Sequence, residues 1–160
     1  MVKDQDYLTN IANKTIELSS QLGATDTSVH VAHSISETVN LRNKKLDESN
    51  RSDSFAISIT TYIGKKKSTI SSSNLSDDNV KTLIERCIGT TKITPDDELN
   101  SLPEKNLMAK EIKDLNLFDG NHIPNDKKIN ILEEVENTAY EESKIINTET
   151  DFTCLLYTSP

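Results

Sequence analysis

The chain has 160 residues and a formal net charge of −8, from 26 acidic and 18 basic side chains. This length fits one domain with its own core, or one domain with an incomplete neighbour. The negative charge disfavours nucleic acid and anionic membranes as general partners, because binding to phosphates needs concentrated positive charge. Hydrophobic residues make up only 34% of the chain, so either part of it is peripheral or it docks on something that supplies the missing core.

No apolar run approaches the roughly 18 residues that a membrane helix needs, and the N-terminus lacks the apolar stretch of a signal peptide. We therefore predict a cytoplasmic protein. Cys87 and Cys154 give no disulfide framework, and Cys87 is expected to be a small core residue.

The first helix is predicted over residues 8–22, with Gly23 in a left-handed conformation at its end. Apolar residues at odd positions from 29 to 41 then predict one long strand, or two strands that continue one another. His33 and Glu37 interrupt that apolar face without changing its register. A turn at 42–44 leads to a short strand, 45–50, with Leu46 pointing inward.

A second polar turn is expected at residues 50–53. Strict alternation from Phe55 to Ile63 then predicts a strand, which turns at 64–66 into a serine-rich strand. Ser76 is expected to cap a second helix over residues 77–88.

These elements predict an α+β fold, in which about four antiparallel strands are packed by two helices. The serine-rich strand 68–74 is predicted to be an edge. Its polar composition is one way in which an edge avoids aggregation, but the same edge is also a template for adding a peptide strand.

Residues 89–125 contain three prolines and predict a long irregular connection, which Leu115, Leu117 and Phe118 are expected to pin to the surface. A third helix is predicted over residues 126–144. Its apolar side is expected to hold Ile129, Leu132, Val135, Ala139 and Tyr140. Its acidic residues, expected on a solvated face, are Glu133, Glu134, Glu136, Glu141 and Glu142.

No residue is predicted to be catalytic, cofactor-binding or metal-binding. His30 and His33 would point to opposite faces of a strand, and His122 has no metal-ligand partner nearby in the sequence. The Gly64–Lys65 pair lacks the upstream glycine of a phosphate-binding loop and opens a strand instead of a helix. Lys65 to Lys67 are therefore expected to form an exposed hairpin tip, with nucleic-acid contact as a weaker alternative.

Several short strings follow one another at characteristic positions along the chain. They are GATD (23–26), RNKKLDES (42–49), ITTYIGKKKSTISSSNLS (59–76), PD (95–96), LP (102–103), DLNLFD (114–119) and INTE (146–149). In this order they resemble the N-terminal domain of the TldD/PmbA (TldE) metallopeptidase family. The resemblance covers residues 5–153, and the segment DLNLFD is closer to the PmbA (TldE) branch.

This resemblance implies a cytoplasmic complex of two subunits that trims peptides and small unfolded proteins. The family's divalent metal, expected to be zinc, is held by a His-Glu-x-x-x-His helix of the TldD-type subunit, downstream of this domain. No catalytic or metal-binding residue is therefore carried over. The chain is expected to be a non-catalytic domain whose partners are a TldD/PmbA-type subunit and a peptide substrate. The alternative is a stand-alone module that binds peptides at the edge strand 68–74.

The resemblance also suggests that the domain, 5–153, is truncated at its C-terminal side. Residues 154–160 do not fit the family and resemble read-through of a sequencing adapter, so we expect them to be a non-native tail.

Overall fold

The computed structural model describes residues 5–109, 111, 113 and 115–159. Its three helices and open four-stranded antiparallel sheet confirm the predicted α+β class. In chain order the elements are α1 (Gln5–Gln21), β1 (Asp26–Arg42), β2 (Lys45–Ile63), β3 (Lys66–Ser72), α2 (Asp77–Ile93), a 3₁₀ turn (Lys105–Leu107), α3 (Asn125–Ala139) and β4 (Glu149–Thr158).

The strand order is β3-β2-β1-β4, which confirms that the serine-rich strand lies at an edge. Strand β3 pairs with β2 in antiparallel register, from Ile57 opposite Ser72 to Ile63 opposite Lys66. The turn between β1 and β2 places Asn43 and Lys44 at φ 50° and 62°. Two successive residues at positive φ are the hallmark of a tight hairpin turn that matches the strands' twist.

The predicted turn at residues 50–53 is wrong, because β2 runs without a break from Lys45 to Ile63. These residues are polar but include no glycine or proline, and an exposed strand tolerates polar side chains. Leu46, expected to point inward, is 53% exposed. Strand β1 is one continuous strand. The fourth strand of the sheet is β4, not the separate strand predicted at 45–50.

Contacts divide the chain into two compact units. Among the described residues, the first unit comprises 5–33, 54–115 and 158–159, and the second comprises 34–53 and 116–157. Strands β1 and β2 contribute residues to both units.

In the first unit, α1 and α2 bury an apolar face with Val31, Ile57 and Ile59 of the strands. Gly23 ends α1 at φ +102°, as predicted. Helix α2 continues to Ile93 instead of ending at 88. The reason is that Thr91 extends the buried stripe, since its hydroxyl bonds Thr61 and Ser68. Ser76 is the N-cap residue, but its side chain makes no capping hydrogen bond.

In the second unit, Leu132 of α3 packs against Val39 and Leu41. The helix ends at Ala139, earlier than predicted, and its buried residues are Lys128, Leu132 and Glu136. Glu136 was expected on the solvated face, but it is fully buried. Its Oε2 accepts a hydrogen bond from the backbone N–H of Lys44 in the positive-φ turn, whereas its Oε1 is buried without a hydrogen-bond partner among the described residues.

The irregular connection is shorter than predicted, since α2 runs to Ile93 and α3 begins at Asn125. Residues 110, 112 and 114 of the connection lie outside the described part of the chain. The expectation that Leu115, Leu117 and Phe118 pin the connection to the surface is wrong, because all three are exposed. Across the described ranges, no helix combines the length and apolar character needed to cross a membrane.

Candidate functional site

A cleft of about 480 Å³ opens in the second unit, and we call it the Glu37 cleft. Strand β1 supplies Glu37, and three consecutive residues of β2 form a second wall. The third wall is the segment that leads into α3. The lining residues are Glu37, Ser49, Asn50, Arg51, His122, Pro124 and Asn125.

The carboxylate of Glu37 is the centre of a charged cluster. It accepts a hydrogen bond of 2.5 Å from Nζ of Lys128 and a second bond from Nη1 of Arg51. Nδ1 of His122 lies 3.7 Å from its Oε2. The side chain of Lys128 is fully buried, and that of Glu37 is 13% exposed, so the ion pair is largely shielded from water.

Hydrogen bonding from Lys128 lowers the pKa of the Glu37 carboxyl below its ordinary value, although burial acts in the opposite direction. The charge of Lys128 and the hydrogen bond and charge of Arg51 lower it further. The donors stabilise the charged form more than desolvation disfavours it. Glu37 is therefore a carboxylate at neutral pH and an acceptor, not a proton donor.

The described contacts leave the cluster with more positive than negative charge. Lys128 alone balances Glu37, and Arg51 adds a second cation whose side chain is 49% exposed. Asn125 is held in place, since its Oδ1 accepts from Nζ of Lys128 and its Nδ2 donates to Oγ of Ser49. A guanidinium beside amide groups in a cleft can hold an anion, but it supplies no nucleophile.

Sequence reasoning missed this cleft because its residues are distant in the chain. Glu37 was noted only as an interruption of an apolar face, and Arg51 was assigned to a turn. His122 was judged to lack a partner, yet it lies beside Glu37. One usable signal was Lys128, which precedes Leu132 by one helical turn and therefore falls on the buried stripe of α3.

In the first unit, the edge strand β3 is tied to α2 through Ser68. Its hydroxyl donates to the backbone oxygen of Cys87 at 2.8 Å and lies 2.6 Å from Oγ1 of Thr91. Thr61 joins the same network, with its Oγ1 2.7 Å from that of Thr91. These partners include no base, so Ser68 holds the edge in place and is not an activated serine.

The two histidines of β1 lie apart, as predicted: His30 is exposed, whereas His33 is buried and stacks on Phe55 with ring centroids 4.2 Å apart. In the part of the chain that the structure describes, no three His, Cys, Asp or Glu side chains are grouped as a metal would require. These residues therefore do not fit the family's metal. The prediction that the chain holds no metal ligand stays a prediction.

Two lysines of the hairpin tip, Lys65 to Lys67, make hydrogen bonds to the backbone, although an exposed lysine cluster was predicted. Nζ of Lys65 donates to the backbone oxygen of Glu98, and Nζ of Lys66 donates to that of Lys92 near the end of α2. A cation at a helix C-terminus complements the helix dipole. Two of the three lysines thus have a structural role.

The described residues thus form an α+β fold with a polar cleft in its second unit. A model of the family described as PmbA/TldA metallopeptidase domain 1 matches residues 29–90. A metalloprotease PmbA homologue from Haemophilus influenzae is 29% identical over 133 residues, which are 82% of this chain and 29% of that protein.

Two solved structures share the fold. One, from Bacteroides thetaiotaomicron and described as a candidate modulator of DNA gyrase, has a TM-score of 0.83 at 22% identity, over 95% of this chain and 37% of that chain. The TldE of Thermococcus kodakarensis has a TM-score of 0.71 at 14% identity, over 93% of this chain and 36% of that one.

These matches confirm the predicted resemblance to the N-terminal domain of the PmbA/TldD family. The name PmbA of the Haemophilus influenzae relative agrees with the predicted branch. The chain spans about a third of the length of these relatives.

Proposed function

We propose that this chain acts as the non-catalytic N-terminal domain of a PmbA/TldD-type metallopeptidase subunit in the cytoplasm. It would contact a partner subunit and help to enclose the path of peptides and small unfolded proteins that the complex degrades. The divalent metal, zinc in our proposal, would be held by the TldD-type subunit. The domain would comprise residues 5–153, with 154–160 a non-native tail, although β4 extends through Thr158.

The observation that supports docking most strongly is a set of exposed apolar side chains in the first unit, at the end of α2 and after it. These large apolar side chains are exposed to solvent, and most of them lie in the connection between α2 and α3. They are Ile93 (84% exposed), Leu99 (89%), Leu107 (77%), Met108 (56%) and Leu115 (67%). Several such residues within one short segment are typical of a protein–protein contact surface. A protein surface is the expected occupant, because the relatives are about three times as long.

The test is binding of the chain to a TldD-type subunit, measured by titration calorimetry. The double variant Leu99→Ser/Leu107→Ser should weaken binding by about tenfold or more, since burying one leucine contributes about 1.5–3 kcal/mol. The control is Leu46→Ser, which changes an exposed leucine of the second unit, outside the proposed contact surface. Equal affinities for the two variants, or peptide hydrolysis by the chain alone, would contradict the proposal.

The alternative function, peptide binding at the edge strand, is favoured by the position of β3 at the end of the sheet. A bound extended peptide would add a strand there and form main-chain hydrogen bonds. Its test is the NMR shift of residues 68–72 on addition of an extended peptide.

The source gene beyond codon 153 separates the two functions and also tests the proposed tail. A following domain with His-Glu-x-x-x-His indicates the active type of subunit, and a following domain without it indicates the PmbA-like partner. A stop codon near 153 favours the peptide-binding module.

A further inference from the structure

We infer that the Glu37 cleft binds the carboxylate of a peptide, at its C-terminus or on an aspartate or glutamate side chain. The inference rests on the proposed function for its ligand class, since peptides are what the proposed complex degrades. The evidence for an anion site is the charge distribution and the shape of the cleft.

The local charge has the opposite sign to that of the chain. The chain carries a formal net charge of −8, whereas two permanent cations, Arg51 and Lys128, contact the single carboxylate of Glu37. The positive charge of Lys128, which is fully buried, already balances the negative charge of Glu37. Arg51 is therefore in excess, and a second anion would neutralise it.

Arg51 has the geometry to receive that anion. A guanidinium carries five N–H donors and binds carboxylates in a two-pronged manner, and the described hydrogen bond to Glu37 uses Nη1 alone. The side chain is 49% exposed and lines the cleft. His122, which is also exposed, borders the same space, and it adds a hydrogen-bond donor in either charge state.

Polar and apolar groups line the cleft on several sides. Ser49, Asn50 and Asn125 place polar groups along its walls, and Pro124 closes one side with an apolar ring. Asn125 is fixed by bonds to both Lys128 and Ser49, so less ordering is required on binding. Glu37, Arg51 and His122 also line an adjoining cavity, which Cys154 and Leu156 of the proposed tail border.

The main alternative is that the cluster only stabilises the fold, because structural ion-pair networks also perturb pKa values. The two interpretations differ in the role of Arg51. In a purely structural cluster Arg51 would have no ligand, and its replacement would leave the affinity of the chain for carboxylates unchanged.

The experiment is an NMR titration of the chain with acetyl-Ala-Ala, whose C-terminal carboxylate is free, and with its C-terminal amide. A third peptide, acetyl-Ala-Asp-Ala-amide, offers only a side-chain carboxylate. We expect the amide resonances of residues 49–51 and 122–125 to shift with a carboxylate peptide and not with acetyl-Ala-Ala-amide. The third peptide shows whether the side-chain source is accepted.

Arg51→Gln should weaken binding by about tenfold or more, because hydrogen bonds to charged groups are among the strongest. Lys127→Gln is the matched control, since it removes the same charge from an exposed position of α3 outside the cleft. Thermal melts of both variants establish that they are folded.

Equal shifts with the acid and the amide would overturn the inference, as would no shift with any peptide. Equal losses in Arg51→Gln and Lys127→Gln would also overturn it, since net charge alone would then explain the binding. These outcomes leave the docking test unaffected, because that test concerns Leu99 and Leu107 in the first unit.

Discussion

Replacing Glu37 by glutamine should destabilise the chain strongly, although the change is nearly isosteric. The substitution removes the charge that balances Lys128, whose side chain is fully buried and 2.5 Å from the Glu37 carboxylate. An ammonium left without a counterion in that position, with the second cation Arg51 close by, should cost about 3–5 kcal/mol. That is a large fraction of the stability of a small domain, which is about 5–15 kcal/mol.

Replacing Lys128 by methionine should cost less, which makes the order of the two variants diagnostic. Met keeps the length of the buried chain and removes its charge, and Glu37 retains Arg51 as a counterion and some access to water. We expect a loss of about 1 kcal/mol, because an apolar replacement of a buried charge is often close to neutral.

The assay is urea unfolding followed by circular dichroism, with Glu133→Gln as the control for the loss of one negative charge at an exposed position of α3. A Glu37→Gln variant within about 0.5 kcal/mol of the parent chain, which is the usual range for a surface substitution, would refute the reasoning. A Lys128→Met variant less stable than Glu37→Gln would refute it equally.

Two further predictions concern pH and the hydroxyl network. The pKa of Glu37 is lowered in the folded state, chiefly by Lys128, so its contribution to stability is present above the ordinary pKa of 4.5 and is lost as pH falls through the folded value. Stability measured between pH 7 and 3 should fall less steeply in Glu37→Gln than in the parent chain, and parallel curves would be evidence against this linkage. Thr91→Val should cost about 1–3 kcal/mol in urea unfolding, because it removes a shared partner of Thr61 and Ser68. The exposed Thr90→Val is its control, and equal losses in the two variants would contradict the buried network.

The first unit was largely predictable because its signals are local. Apolar residues at alternate positions from Phe55 to Ile63 specify a strand, and helical spacing before Gly23 specifies α1. The end of α2 was placed too early, because Thr91 is buried through hydrogen bonds to strands distant in the chain. The spacing of apolar residues gives no signal for a hydroxyl group that is buried.

The second unit was less predictable because charged and polar groups determine its structure. Glu136 is buried by its bond to the turn at Lys44, and Lys128 is buried by its bond to Glu37. In both cases the partner lies about 90 residues away, so no local pattern distinguishes these residues from a solvated helix face. The Glu37 cleft could not be predicted for the same reason, since β1, β2 and the segment before α3 all contribute to it.

Hydrogen exchange of the chain, with and without a TldD-type subunit, tests the proposed docking most directly. We expect slower exchange on addition of the subunit for amides from Ile93 to Met108, which carry most of the exposed apolar side chains of the proposed contact surface, and unchanged exchange for α1. The subunit is added at concentrations at which the two chains co-elute in size-exclusion chromatography. Unchanged exchange throughout that segment would then contradict the claim that this surface contacts a partner.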